Sequence, residues 1–377
     1  MPFSASLPNG LALSGGGFRA TLFHLGALWR LNELGWLRKL DIVTSVSGGS
    51  IINGVLATHW SRLAWKPLHG GGEAASNFDA EIAKPIRDFC TKSIDVSSVI
   101  IGGLSPFSNI ADQVADAYDK HLYVGATLQS LPTPVAGKVP RFLFYASSLQ
   151  TGSSVRMDRR RFADYKIGEI PSPNLSLARV VGASSAFPPV LSPVNFDFDP
   201  AQWQPLPGGY LFPNVELRKR VVLTDGGVYD NLGLEAIYLR CDTVLVSDAS
   251  APFDIVDEST IDPLSQMTRV NAVMMEQTRA LRRRAVVDEF TAGRRRGTFW
   301  GIGTHIADYG LPDAVVKDSS LTASLELIRT RLNHFSAEEQ GHLVNWGYAL
   351  ADAAMRRWVL PGPPSVAASQ PDPEFPL

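Results

Sequence analysis

Short apolar runs that stop at glycines, each followed by a stretch of helical period, open the chain. Residues 10–14, Gly-Leu-Ala-Leu-Ser, are apolar and bounded by glycine, which predicts a buried strand. Gly15, Gly16 and Gly17 then turn the chain, and residues 18–34 carry Leu22, Leu25, Leu28, Trp29 and Leu31 at near-helical spacing. Gly35 is placed to end that helix. A second apolar run, 42–46, reaches Ser47-Gly48-Gly49 and passes into an apolar helix over 50–63. Strand, glycine turn and helix, repeated, argue for a parallel sheet flanked by helices, with ligands at the carboxyl ends of its strands.

The rest of the chain fits the same class. Residues 141–148, 221–223, 243–247 and 298–303 read as strands. Helices are expected over 176–185, 263–289 and 336–358, the last opening with Ser336 and Glu339 at capping-box spacing. In the 263–289 helix, Met267, Val270, Met274 and Leu281 recur at helical spacing, a pattern commoner in a core than in a lipid groove. Residues 193–220 mix proline, glycine and aromatics without periodicity and read as an insertion loop near the site, a candidate lid. No linker splits the chain, so one domain over 8–360 is expected, with a Pro-rich tail over 361–377 that is either disordered or surface-bound.

Composition narrows the function. Across 377 residues, 35 Lys and Arg face 37 Asp and Glu, a net charge of −2 that gives no global basic field. Nucleic acid is therefore a poor partner. Two cysteines exclude a disulfide framework and a Cys-rich zinc site, which favours a cytoplasmic setting. The N-terminus lacks the basic and apolar regions of a secretory signal, and no run of about 18 apolar residues could span a bilayer. Contact with a membrane would be peripheral, and nothing in the composition reveals the oligomeric state. Three arginine runs, 159–161, 282–284 and 294–296, could gather anionic headgroups, though solvated, ion-paired faces are the commoner meaning.

The chemistry gathers at three glycine-rich places. The first, Ser14-Gly15-Gly16-Gly17-Phe18-Arg19-Ala20, can converge backbone amides on a phosphate or a developing oxyanion. Gly15-x-Gly17-x-x-Ala20 also matches a dinucleotide fingerprint, but that needs an acidic residue at the end of the second strand. Here Asp41 opens that strand, and Ser45 and Ser47 occupy its far end. The second, Ser45-Val46-Ser47-Gly48-Gly49, is a nucleophile elbow with serine at its first small position, or else a serine capping an ordinary turn. The third is Asp225-Gly226-Gly227 after an apolar run, a carboxylate able to project into a site or to close its own turn. If Ser47 is a nucleophile it needs a base. Of seven histidines only His305, His334 and His342 follow Asp225, and His305 alone ends a strand. A Ser47–Asp225–His305 triad and a direct Ser47–Asp225 dyad both stand.

In that order, these blocks resemble the patatin-like phospholipases, and Gly-Gly-Gly-Phe-Arg-Ala is similar to cytosolic group IV phospholipase A. A fourth block, Ala183-Ser184-Ser185-Ala186-Phe187-Pro188, resembles the Ala-Ser-x-Ala-x-Pro stretch those proteins carry before the aspartate. The resemblance covers residues 8–250 and implies an α/β fold, a three-layer α/β/α sandwich with a mainly parallel central sheet. It implies Ser47 as acylated nucleophile, Asp225 as base, Gly15, Gly16 and Gly17 as oxyanion-hole amides, and Arg19 near the substrate phosphate. It implies no cofactor and no metal. The departure is Ser45, where the family usually has glycine. A serine acyl hydrolase of phospholipids through an acyl-enzyme is the expected function. A short-chain carboxylesterase and a catalytically decayed lipid-binding module are the alternatives.

Overall fold

The apolar runs become strands of one ten-stranded sheet in a computed structural model, which describes residues 7–94, 110–256 and 262–377. In chain order the strands are β1 (Leu7–Leu13), β2 (Ile42–Ser45), β3 (Trp65–Pro67), β4 (Glu73–Ala75), β5 (Arg141–Ser148), β6 (Ser154–Asp158), β7 (Arg161–Asp164), β8 (Gly168–Pro171), β9 (Val194–Asp197), β10 (Arg220–Asp225), β11 (Cys241–Asp248) and β12 (Arg296–Gly301). The helices are α1 (Gly17–Glu33), α2 (Gly48–His59), α3 (Lys84–Cys90), α4 (Ile110–Tyr118), α5 (Leu177–Ser184), α6 (Val215–Lys219), α7 (Gly227–Asp230), α8 (Glu235–Tyr238), α9 (Pro263–Thr291), α10 (Ser320–Ser324) and α11 (Ala337–Trp358). Among the described residues, β3 and β4 pair only with each other.

Strands β12, β11, β1, β2 and β5 run parallel in that order. Alternation along them divides the core. Leu11, Leu13, Val43, Phe142 and Phe144 face the larger layer, which holds α1, α2, α5 and α11. Ala12, Ile42, Val46, Leu143 and Tyr145 face a smaller one built from residues 232–241 and Val286. Both faces of a parallel sheet are thus covered, as burying its backbone requires. Beyond β5 the sheet becomes an antiparallel meander, β6 to β8, which hydrophobic runs alone did not reveal.

The strand carrying Asp225 is not part of the parallel set. β10 runs antiparallel to β5, pairing Asp225 with Ala146, while β2 pairs Ser45 with Phe144. Phe144 and Ala146 turn their other edge to β6, so β2 and β10 lie on the same side of β5. They occupy one lane of the sheet from opposite ends. Their carboxyl ends meet nose to nose, two residues apart along β5.

Two sequence expectations are corrected and one pair of alternatives is decided. Residues 193–220 are no lid: β9 extends β10, and Phe198 and Trp203 pack on Phe162 of the meander, because their aromatic surface is buried there. Of the two states expected for the tail over 361–377, the docked one is found. The buried Asn345 amide donates to the Asp372 and Phe375 carbonyls and accepts from the Asp372 amide, Arg30 reaches the Val366 carbonyl, and Arg87 pairs with Asp372 at 2.6 Å. Proline removes donors but leaves carbonyls, and those hold the tail. Finally, the apolar stripe of α9 faces outward: Met267 is 65% exposed and Met274 59%, with Val286 the buried residue of this helix among those described.

α1 and α11 cross at two glycines. A β-carbon on Gly26 would overlap the Val344 carbonyl oxygen, and one on Gly347 the Phe23 carbonyl oxygen. Neither backbone can yield without parting the helices. Arg30 of α1, fully buried, donates from Nε to Asp352 of α11 at 2.8 Å beside that crossing. Gly347→Ala is therefore expected to lower unfolding free energy by about 1–3 kcal/mol, the usual cost of overpacking. Urea denaturation followed by circular dichroism measures it.

Candidate active site

Ser47 ends the β2 lane and caps α2. Its backbone sits at φ 51, ψ −120, a strained conformation for a non-glycine residue. This is the geometry of a nucleophile elbow, in which a sharp strand-to-helix turn lifts a side chain above the sheet. The following helix points its positive end at that side chain. Gly48 is required because the elbow lies against the glycine nest: a β-carbon there would overlap the Gly17 carbonyl oxygen.

Asp225 arrives from the opposite direction and is 2% exposed. Its Oδ1 accepts from the Gly227 amide at 2.7 Å, while Oδ2 is buried without a hydrogen-bond partner. Burial drives the carboxyl up to about 7, and the Gly227 amide and Ser47 hydroxyl pull it partly back. Ser47 and Asp225 line the same cavity, and Oδ2 is left without a partner there.

The Ala183–Pro188 block joins the two turns. Ser184 Oγ accepts from the Ser47 amide at 3.0 Å, and the Ser184 carbonyl accepts from the Gly226 amide at 3.1 Å. The Ala186 carbonyl takes the Asp225 amide at 2.9 Å. Ser45, the departure from the usual glycine, is fully buried and accepts from Ser50 and Asn53, both at 2.9 Å. The elbow accommodates its hydroxyl by hydrogen-bonding it.

The glycine nest differs from expectation at one position. The Gly15 amide already donates to the Asn231 carbonyl at 3.0 Å and is not free for an oxyanion. Phe18 is likewise engaged, by the Arg331 carbonyl. Gly16 and Gly17, which line the cavity, and Gly48 donate to no backbone carbonyl among the described residues. Gly48, the residue after Ser47, was signalled by the elbow motif but not singled out.

Arg19 is also corrected. It is 1% exposed and absent from the cavity wall. Its guanidinium donates to the carbonyls of Glu326, Ile328 and Ala249 at 2.7, 2.8 and 2.7 Å. These oxygens supply the negative partner that a cation beside a helix N-terminus requires. Arg19 ties the 326–328 segment over α1 and does not reach for a ligand.

Ser47 and Asp225 open into a cavity of about 710 Å³. One wall is the α9 face bearing Arg269, Met275 and Arg279, another is 187–191, and a third is 330–332. Phe187, Val190, Leu191, Phe253 and Leu332 make it mainly apolar. Among the described residues, no histidine lines it. His305 is 69% exposed at its side chain and faces Asp318 at 3.7 Å, so the triad candidate does not join the site. His24, fully buried between the Ser14 carbonyl and the Ser247 hydroxyl, is held down to about 4 by burial and stays neutral beneath the nest. Much of the arginine runs is engaged by the protein itself: Arg161 pairs with Glu169, Arg294 with Glu289, and Arg282 lies over Tyr229.

Comparison with known proteins bears on the family resemblance and the fold. No curated protein matches the chain. Residues 11–66 match the family model "Patatin-like phospholipase". Human GIVD cytosolic phospholipase A2 is similar in structure at a TM-score of 0.52 and 13% identity, over 92% of this chain and 58% of that one. Its complex with methyl gamma-linolenyl fluorophosphonate gives 0.49 and 15%, over 92% and 57%. VipD from Legionella pneumophila gives 0.35 and 14%, over 92% and 66%. This chain thus spans a little over half the length of the human enzyme. The patatin-like resemblance carried by the nest and the elbow is matched both by the family model over residues 11–66 and by the α/β fold of a cytosolic phospholipase A2.

Proposed function

We propose that this chain is a serine acyl hydrolase acting on phospholipids or related lipid esters, with Ser47 as nucleophile and Asp225 as general base. The observation that carries the reading is the strained Ser47 turn meeting a buried carboxyl, one oxygen of which has no partner, at the floor of an apolar cavity. The patatin-like match over 11–66 supports the same reaction class.

The chemistry follows from those groups. Ionised Asp225 takes the Ser47 hydroxyl proton as Oγ bonds to the acyl carbon. The amides of Gly16, Gly17 and Gly48 receive the oxyanion, and each such donor is worth about 10²–10³ in turnover. Asp225 returns the proton to the departing alkoxide, which leaves as an alcohol or lysolipid. Water then attacks the acyl-enzyme, Asp225 again taking the proton, and the fatty acid is released. A carboxyl near pH 7 suits both halves, since it gives and takes a proton with little driving force lost. The absence of any histidine from the cavity wall favours this dyad over a triad.

Phe187, Leu191, Phe253, Met275 and Leu332 offer an acyl chain apolar surface, and Arg269 and Arg331 on the same walls are available to an anionic headgroup. Peripheral contact with a membrane belongs to the proposal. Among the described residues no helix is long and apolar enough to cross one. The helix that walls the cavity, α9, turns Met267, Val270 and Met274 outward, which suits a lipid surface.

Ser47→Ala should cut turnover by about 10⁴–10⁶ while His305→Ala leaves it within about twofold. Hydrolysis of defined phospholipids and of monomeric short-chain esters by both variants measures this. A wild-type preference for the short esters would favour the carboxylesterase. Since the Asp225 carboxyl lies near 7, kcat/KM should rise as pH climbs through about 7 and then level off. The same upward displacement means the folded state holds that proton more tightly than the unfolded chain, so stability declines between about pH 4 and 7 as the carboxyl ionises. Asp225→Asn should therefore be inactive yet more stable than wild type at pH 8, with the advantage shrinking at pH 5. Thermal melting at the two pH values checks it.

A further inference from the structure

Beneath Ser47 lies a chain of side-chain hydrogen bonds that the proposed mechanism does not use. Ser45, Ser50, Asn53 and Ser184 are all 0% exposed. Ser45 Oγ donates to the Leu143 carbonyl of β5 at 3.2 Å, so its oxygen is left to accept, and Ser50 Oγ donates to it at 2.9 Å. With its single proton committed there, the Ser50 hydroxyl can only accept from Ser184 Oγ, 2.8 Å away. The Ser184 hydroxyl therefore donates to Ser50 and keeps a lone pair for the Ser47 amide at 3.0 Å. In this arrangement every hydroxyl proton points away from the elbow toward one β5 carbonyl.

We propose that Ser45, Ser50 and Ser184 form a one-way polar chain that positions Ser47, holding its amide and hence its strained turn at the attacking geometry. It rests on Ser47 being the nucleophile. Ser45 thus becomes a positioning residue at the place where the motif usually has glycine. Hydrogen bonds in line polarise one another, so the Ser184 oxygen is a better acceptor with Ser45 present than without it. The strain at φ 51 persists only where the surroundings over-determine it. In this chain the Ser47 amide gains its determination from Ser184, three bonds removed from β5. None of the chain's side chains lines the cavity, so losing them should alter the reaction step and spare substrate binding.

This reverses the ordinary expectation for a consensus substitution. Ser45→Gly, which restores the usual motif residue, should slow the enzyme. The experiment measures kcat and KM for p-nitrophenyl butyrate in Ser45→Gly, Ser45→Ala, Ser184→Ala and the Ser45→Ala/Ser184→Ala double variant, with thermal melting alongside. Each single substitution is expected to lower kcat roughly five- to thirty-fold with KM within about twofold, the scale of one lost buried hydrogen bond. The double variant should fall no further than Ser184→Ala alone, because one chain is cut twice. Ser45→Gly as fast as wild type, or losses that multiply in the double variant, would overturn the proposal. Should the Ser45 variants fail to fold, Ser50→Ala breaks the same chain from α2 and carries the same expectation. Mass spectrometry after treatment with a fluorophosphonate separates the two readings. Wild type unlabelled at Ser47 defeats the nucleophile assignment, whereas Ser47 labelling with unchanged kcat in the variants defeats the polar chain alone.

Discussion

One strand borders two others end to end, and the site depends on that. β5 is eight residues long, whereas β2 covers only its first four, to Phe144. The remaining edge would expose unpaired amides and carbonyls inside the protein, which is costly. β10 fills it from the opposite direction, and its last residue, Asp225, lands beside Ala146. A hydroxyl and a carboxyl far apart in sequence are thereby brought together by backbone pairing, before any side chain has a say. Changing the length of β2 or β10 would move one group out of reach of the other.

Strand pairing brings the groups close, and the Ala183–Pro188 block fixes them. Its backbone carbonyls hold the amides of Asp225 and Gly226, and its Ser184 hydroxyl holds the amide of Ser47. One short segment thus grips both turns, so a displacement of α5 would disturb Ser47 and Asp225 together. The same packing makes Asp225 unusual. Buried to 2% exposure and with only Oδ1 satisfied, its carboxyl is destabilised as an anion, which is a cost to folding and would serve the proposed role of base.

Misreadings of the sequence share a cause. The α9 stripe has the spacing of a core helix, yet it is exposed because nothing from the described chain covers that side. The composition of the tail fits disorder and docking alike, and Asn345 decides between them by giving its carbonyls and an amide their partners. Arg19 stands where the resemblance implies a contact with phosphate, and three backbone oxygens claim it first. Periodicity and composition report what a segment could bury or bind. They do not report what lies opposite.

The sequence by itself determined the elements whose causes are local. Apolar runs ending in glycine made β1 and β2, Ser336 and Glu339 capped α11 as their spacing required, and Gly48 and Gly49 permitted the turn at Ser47. Each rests on backbone freedom or hydrogen bonds spanning a few residues. Tertiary structure decided that β10 enters antiparallel, that the Gly15 amide is taken by Asn231 while Gly16 and Gly17 stay free, and that Ser184 supports the elbow. Those outcomes turn on which donor meets which acceptor across the sheet, a matter of long-range register that no local pattern encodes.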